Sequence, residues 1–120
     1  MLAETLYRAG DLAAARERYY TAIELDENHL EARASLACVL AEQGDVELAI
    51  AALEGVLRQQ PEYADAHWHL AGIYGEVGCK EKAEHHLLRF LSVAPDSPWA
   101  DLAHEKLSQR RLNSIQDMTE

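Results

Sequence analysis

One interval governs this sequence: Gly10, Gly44 and Gly78 lie 34 residues apart, twice over. The same interval relates Ala15, Ala49 and Ala83, then Tyr19, Leu53 and Leu87, then Ala22, Val56 and Phe90, and last Glu27, Pro61 and Pro95. A fixed period of this length, with glycine, apolar and proline places all in register, marks a chain built of stacked structural units. It decides the fold class before any other feature is weighed.

Each unit reads as two antiparallel helices. Ala66, Leu70 and Tyr74 recur every fourth residue with His67 and Ala71 alongside, which gives one buried helical face. Gly78 then supplies a residue able to turn left-handed and stop that helix. A second helix is predicted from about Lys80 to Val93, with Ala83, Leu87 and Phe90 or Leu91 inward, and Pro95 ends it because helix is disfavoured just before a proline. Asp11 and Asp45 stand where a side-chain oxygen can cap the next helix, whereas Cys79 caps poorly. Composition agrees, since Ala and Leu abound, only three prolines occur and aromatics are 7%. Seven helices are expected, with breaks near Gly10, Asp26–Asn28, Gly44, Gln60–Pro61, Gly78 and Pro95–Ser97.

The period and the helix–turn–helix form resemble the tetratricopeptide repeat, whose signature runs Trp-x2-Leu-Gly-x2-Tyr, Gly, Ala-x3-Phe and Pro. The third unit matches as His67-x2-Leu70-Ala71-x2-Tyr74, Gly78, Ala83-x3-Leu87 and Pro95. The second matches as Arg33-x2-Leu36-Ala37-x2-Leu40, Gly44, Ala49-x3-Leu53 and Pro61. The first matches as Leu2-Ala3-x2-Leu6, Gly10 and Ala15-x3-Tyr19, with Glu27 in place of the proline. The resemblance implies an all-α, right-handed superhelical solenoid of three such units over residues 1–97, at about 1–29, 30–63 and 64–97. Beyond them, Ser97 can cap and Pro98 suits a first helical position. A capping helix is expected over 98–112, with Trp99, Leu102, Ala103 and Leu107 as its apolar stripe and 113–120 as a frayed tail. By register, Met1 falls in mid-helix. Leu2, Leu6, Leu12 and Tyr19 then lack a preceding repeat: either the native protein continues upstream or this chain pairs with a copy of itself. In both cases the 120 residues are expected to associate through that end, sensitive to Leu6→Glu or Tyr7→Glu but not to Trp68→Ala.

In this family the first helices of successive repeats line a concave groove that holds the ligand. Carried over, the groove would present Ala34, Cys38 and Ala41 from one repeat, and Trp68, Gly72 and Gly75 from the next. Its rim would carry Glu31, Ser35, Glu42, Asp65, His69 and Glu76. Two glycines on one helical face cost roughly 1 kcal/mol each against alanine. Room for a ligand beside Trp68 is one reason to keep them, and close helix packing is the other. The family's clamp for C-terminal carboxylates needs a pincer of Lys, Asn and Arg that this face lacks. An apolar floor with an acidic rim suits a peptide bearing apolar anchors and a Lys or Arg.

Other functions are disfavoured. With 21 acidic against 11 basic side chains, net charge −10, the chain repels a nucleic-acid backbone, and Arg110 with Arg111 is too small a basic cluster to reverse that. No apolar run reaches the ~18 residues of a membrane span. Two cysteines, Cys38 and Cys79, make no disulfide framework, and the first residues lack a signal peptide's pattern, which points to the cytoplasm. The six histidines show no metal-binding spacing: His67 reads as a core residue, His85 and His86 as facing solvent and a neighbouring helix. Cys38 has no histidine spaced to act as its base, and no glycine-rich phosphate loop occurs. The expectation is a non-enzymatic protein–protein interaction scaffold without cofactor. The alternative is a regulatory or self-association module of a larger enzyme or transcription regulator.

Overall fold

The computed structural model describes residues 12–26 and 29–119, the side chains of 111 and 113–119 excepted. Its helices are α1 (Leu12–Leu25), α2 (Leu30–Glu42), α3 (Val46–Gln59), α4 (Ala64–Glu76), α5 (Lys80–Val93) and α6 (Ala100–Thr119), and the described residues contain no strand. The fold is all-α. The 34-residue interval reappears in the boundaries: α1, α3 and α5 start at 12, 46 and 80, and α2 and α4 start at 30 and 64. The helix expected before Gly10, with Leu2, Leu6 and Tyr7, lies outside the described residues, as do Asp11, Glu27 and Asn28.

Two helix stops share one geometry. Gly44 and Gly78 both take φ +87°, the left-handed region that suits glycine. Asp45 N–H donates to the Leu40 carbonyl at 2.8 Å and Gly44 N–H to that of Ala41 at 3.1 Å. Cys79 N–H and Gly78 N–H repeat this on Tyr74 and Gly75, at 2.8 and 3.4 Å. These paired bonds satisfy carbonyls that a helix end otherwise leaves open. The stops of α3 and α5 fall before prolines: Gln60 and Ala94 donate the last helical bonds, to Val56 and Phe90, and Pro61 and Pro95 follow.

The helix starts depart from expectation. Asp45 precedes α3 but its side chain makes no cap bond. Its carboxylate instead accepts from Arg16 Nη1 at 3.3 Å, the same nitrogen that reaches Gln43 Oε1 at 3.0 Å. With Arg16 both partners carry charge, and the carboxylate turned toward that cation leaves the cap bond unmade. Cys79 gives no side-chain cap, as expected. The cap on α2 comes from His29, whose Nδ1 accepts from Ala32 N–H at 3.1 Å.

Backbone packing divides the chain into two compact units, Met1–Ala66 and His67–Glu120. In the first, α2 packs against both α1 and α3, burying Ala15, Leu36, Leu40, Ala49, Leu53 and Val56. Tyr19, expected to lack cover, is buried there too. In the second, α6 packs on α5, and Leu70, Tyr74, Ala83, Leu87, Phe90, Ala103 and Leu107 are buried. Each fully buried leucine contributes about 1.5–3 kcal/mol.

The last helix corrects two expectations. Ser97 Oγ accepts from Trp99 N–H at 3.1 Å, holding Pro98 and Trp99 in a turn, so α6 begins at Ala100 and Trp99 is 55% exposed. The buried stripe is therefore Ala100, Ala103 and Leu107, with Leu102 half-buried. At the other end the helix does not stop at Leu112. It runs to Thr119, since no glycine or proline interrupts residues 100–119.

Candidate functional site

In the second unit, α4 places Trp68, Gly72, Gly75 and Glu76 at spacings of four, three and one, which is one helical stripe. Trp68 is half-buried. Its ring meets Phe90 at 5.1 Å and Trp99 at 5.5 Å between centroids, both tilted. Beside it lies a cavity of about 270 Å³ lined by Trp68, Ala71, Gly72, Gly75 and Glu76, by Leu87 of α5, and by Lys106 and Arg110 of α6. That volume sits just under the roughly 300 Å³ where small-molecule sites begin, so it suits a side chain or two.

The two glycines differ. Gly72 is exposed, and nothing lies within 4 Å of where its Cβ would stand. Gly75 is roofed: a Cβ there would collide with the Arg110 guanidinium. Arg110 Nε–H is buried and finds no acceptor, a state that costs on the order of 1–3 kcal/mol. Lys106 and Arg110 are one turn apart on α6, on the flank of the stripe that buries Ala103 and Leu107.

Of the other expected site residues in this unit, His69 is half-buried and does not line the cavity. In the first unit Ala34 is only 4% exposed, so it packs in the core rather than lining an open face. Ser35, Cys38 and Ala41 are half-buried along α2, and Asp65 is exposed. Burial, with the carboxylates of Asp65 and Glu42 adding to it, pushes the Cys38 thiol up to about 11. Burial and then Asp65 and Glu31 raise Tyr63. Carboxylates therefore surround this face. Neither Cys38 nor Cys79 is in a disulfide.

A histidine pair lies behind the Trp68 stripe. His67 is buried, and its Nδ1 lies 2.9 Å from Nδ1 of half-buried His86. Tyr74 stacks on His86 with centroids 5.8 Å apart, and His85 meets it edge-on at 5.0 Å. Burial, then the charges of His67 and His85, lower His86 to about 4. Among the described residues no group of three or more His, Cys, Asp or Glu side chains is placed to hold a metal ion, and no helix is long and apolar enough to cross a membrane.

The cationic side of the cavity was missed from sequence because Lys106 and Arg110 lie beyond the repeat register. The signal available was their four-residue spacing beside the apolar stripe of the same helix.

A family model described as tetratricopeptide repeat matches residues 40–104, more than half of the chain, and another of the same description matches residues 1–55. The chain belongs to the tetratricopeptide-repeat family. This repeat protein is 37% identical over 82 residues to the TPR repeat-containing thioredoxin TTL4 of Arabidopsis thaliana. The match takes in 68% of the chain and 12% of that relative's length. Among solved structures, YrrB, described as a TPR protein with an unusual peptide-binding site, is 30% identical at a TM-score of 0.77 over 88% of this chain and 54% of that one. The Yersinia enterocolitica type III secretion translocator chaperone SycD superposes at a TM-score of 0.80 with 19% identity, over 92% and 84% of the two chains, a likeness of fold.

Proposed function

We propose that this tetratricopeptide protein is a non-enzymatic interaction scaffold that takes a peptide segment of a partner protein on the Trp68 face of α4. The observation that carries this reading is Gly72. A glycine inside an exposed helix costs roughly 1 kcal/mol against alanine, and here open space stands above it, next to a half-buried tryptophan and a side-chain-sized cavity. YrrB, whose likeness reaches 30% identity, has a peptide-binding site by its description. In this reading residues 1–97 form three repeats, the helix that follows caps the third, and Ser35, Cys38, Ala41 and Asp65, in the first unit, offer a contact of their own. Their carboxylate surroundings suit a partner Lys or Arg. Two cysteines outside any disulfide fit a reducing compartment such as the cytoplasm.

The test is affinity capture with the wild type, Gly72→Leu and Trp68→Ala. Gly72→Leu fills the space without touching the fold, so it should melt no lower than the wild type while captured partners are lost. Partners retained by both variants would remove the site from α4.

A second reading, that the repeats serve as the regulatory module of a larger protein, is favoured by the thioredoxin relative, of which the chain spans 12%. An immunoblot of the native source settles it: a band near 13.4 kDa, the mass of this chain, counts against the second reading.

A further inference from the structure

The cavity beside Trp68 has a charge opposite to that of the chain. The protein carries −10 overall, yet among the described residues the cavity is lined by Lys106 and Arg110 against Glu76. Arg110 is held where its chemistry is unfinished: the guanidinium lies on Gly75, where a Cβ would obstruct it, and its Nε–H has no acceptor. An arginine with an unmet donor beside a lysine one turn away is a site for a planar anion, because guanidinium and carboxylate pair in a fork of parallel hydrogen bonds. On the other side the cavity offers Trp68, Ala71 and Leu87, which accept an apolar side chain.

Building on the peptide-binding reading above, we infer that this cavity recognises the side-chain carboxylate of an Asp or Glu standing next to an aromatic or aliphatic residue in the partner's peptide. The volume limits the occupant to about that pair of side chains. The acidic chain disfavours a polyacidic partner at long range. Within a cavity, the two cations act inside the ~8 Å screening length of physiological salt, and their contact dominates. The same cavity is therefore selective for one carboxylate among apolar neighbours. Glu76 on the rim disfavours a second.

The experiment is selection of a random peptide library displayed internally in a carrier, so that no peptide has a free end, with three baits: the wild type, Gly72→Leu, and the double variant Lys106→Glu with Arg110→Glu. The wild type should enrich Asp or Glu adjoining Trp, Phe or Leu, Gly72→Leu should enrich nothing, and the double variant should enrich Lys or Arg in place of the acid. An enriched peptide made with both ends blocked should weaken roughly tenfold or more on Glu→Gln against the wild type, and hardly at all against Arg110→Gln, a milder change that guards against misfolding of the double variant. Enriched sequences without acid, or acid retained by the double variant, overturn the inference and leave peptide binding standing. A peptide that binds only with its own free C-terminus overturns the side-chain source. If the wild type enriches nothing while its melting is cooperative, the peptide-binding reading itself fails.

Discussion

His67 and His86 face each other Nδ1 to Nδ1 at 2.9 Å, a separation that holds one proton between two rings and not two. In the unfolded chain His86 takes its proton near the ordinary 6.5, and in the folded chain only near 4. Between those values the unfolded state binds more protons, so stability rises with pH, is fully present above 6.5, and is lost as pH falls toward 4. The ring is half-exposed and solvent screens it, so the loss is on the order of 1 kcal/mol. Thermal melts from pH 8 to 4 should show it, and His86→Phe, which keeps the ring against Tyr74, should flatten the part between 6.5 and 5. Equal slopes in both proteins would sink the assignment.

The glycines should respond with opposite signs. Gly72→Ala places a methyl in open space on a helix and is expected to stabilise by up to about 1 kcal/mol. Gly44→Ala and Gly78→Ala force φ +87° on an L residue and should destabilise by about 1–2 kcal/mol. Gly75→Ala displaces the Arg110 guanidinium, so its helix gain is offset. Urea midpoints for the four variants check the reading, with Gly72→Ala highest, Gly75→Ala next, and Gly44→Ala and Gly78→Ala lowest; a destabilised Gly72→Ala contradicts it.

A chain stopped at Asp96 loses α6 and uncovers the apolar surface against which Ala100, Ala103 and Leu107 are buried. Burial is worth about 25 cal/mol per Å², and an end unit draws much of its stability from its neighbour. Aggregation or a markedly lower melting temperature is expected. An unchanged, monomeric melt would show that α6 does not pack as described.

The cysteines should react in order. Cys79 is exposed, whereas Cys38 is half-buried among carboxylates with its thiol pushed up to about 11. Thiolate is the reactive form, so at pH 8 iodoacetamide should modify Cys79 first and Cys38 only on unfolding, a difference that peptide mass mapping resolves. Rapid labelling of Cys38 in the folded chain would refute its surroundings.

The sequence carried the helices because each boundary is enforced locally. A glycine able to turn left-handed or a proline marks every stop from Gly44 to Pro95. Interactions set by neighbours in space were not legible. Asp45 read as a cap until Arg16, 29 positions earlier, claimed its carboxylate. Trp99 read as core because its spacing to Leu102 fits a helix that in fact starts one residue later. Of the groove residues inherited from the family pattern, Trp68, Gly72 and Gly75 share one cavity, whereas Ala34 went to the core. The cations opposite Trp68 were hidden by lying outside the period.

The hydrogen bonds that close α2 and α4 reach back no more than five residues, so each stop is written wholly within its own stretch of chain. A duplication or deletion of 34 residues in the gene therefore carries its own punctuation with it. Such a copying event would lengthen or shorten the protein by a whole repeat without rewriting any surviving turn, leaving the interfaces at the splice to decide whether the new length persists.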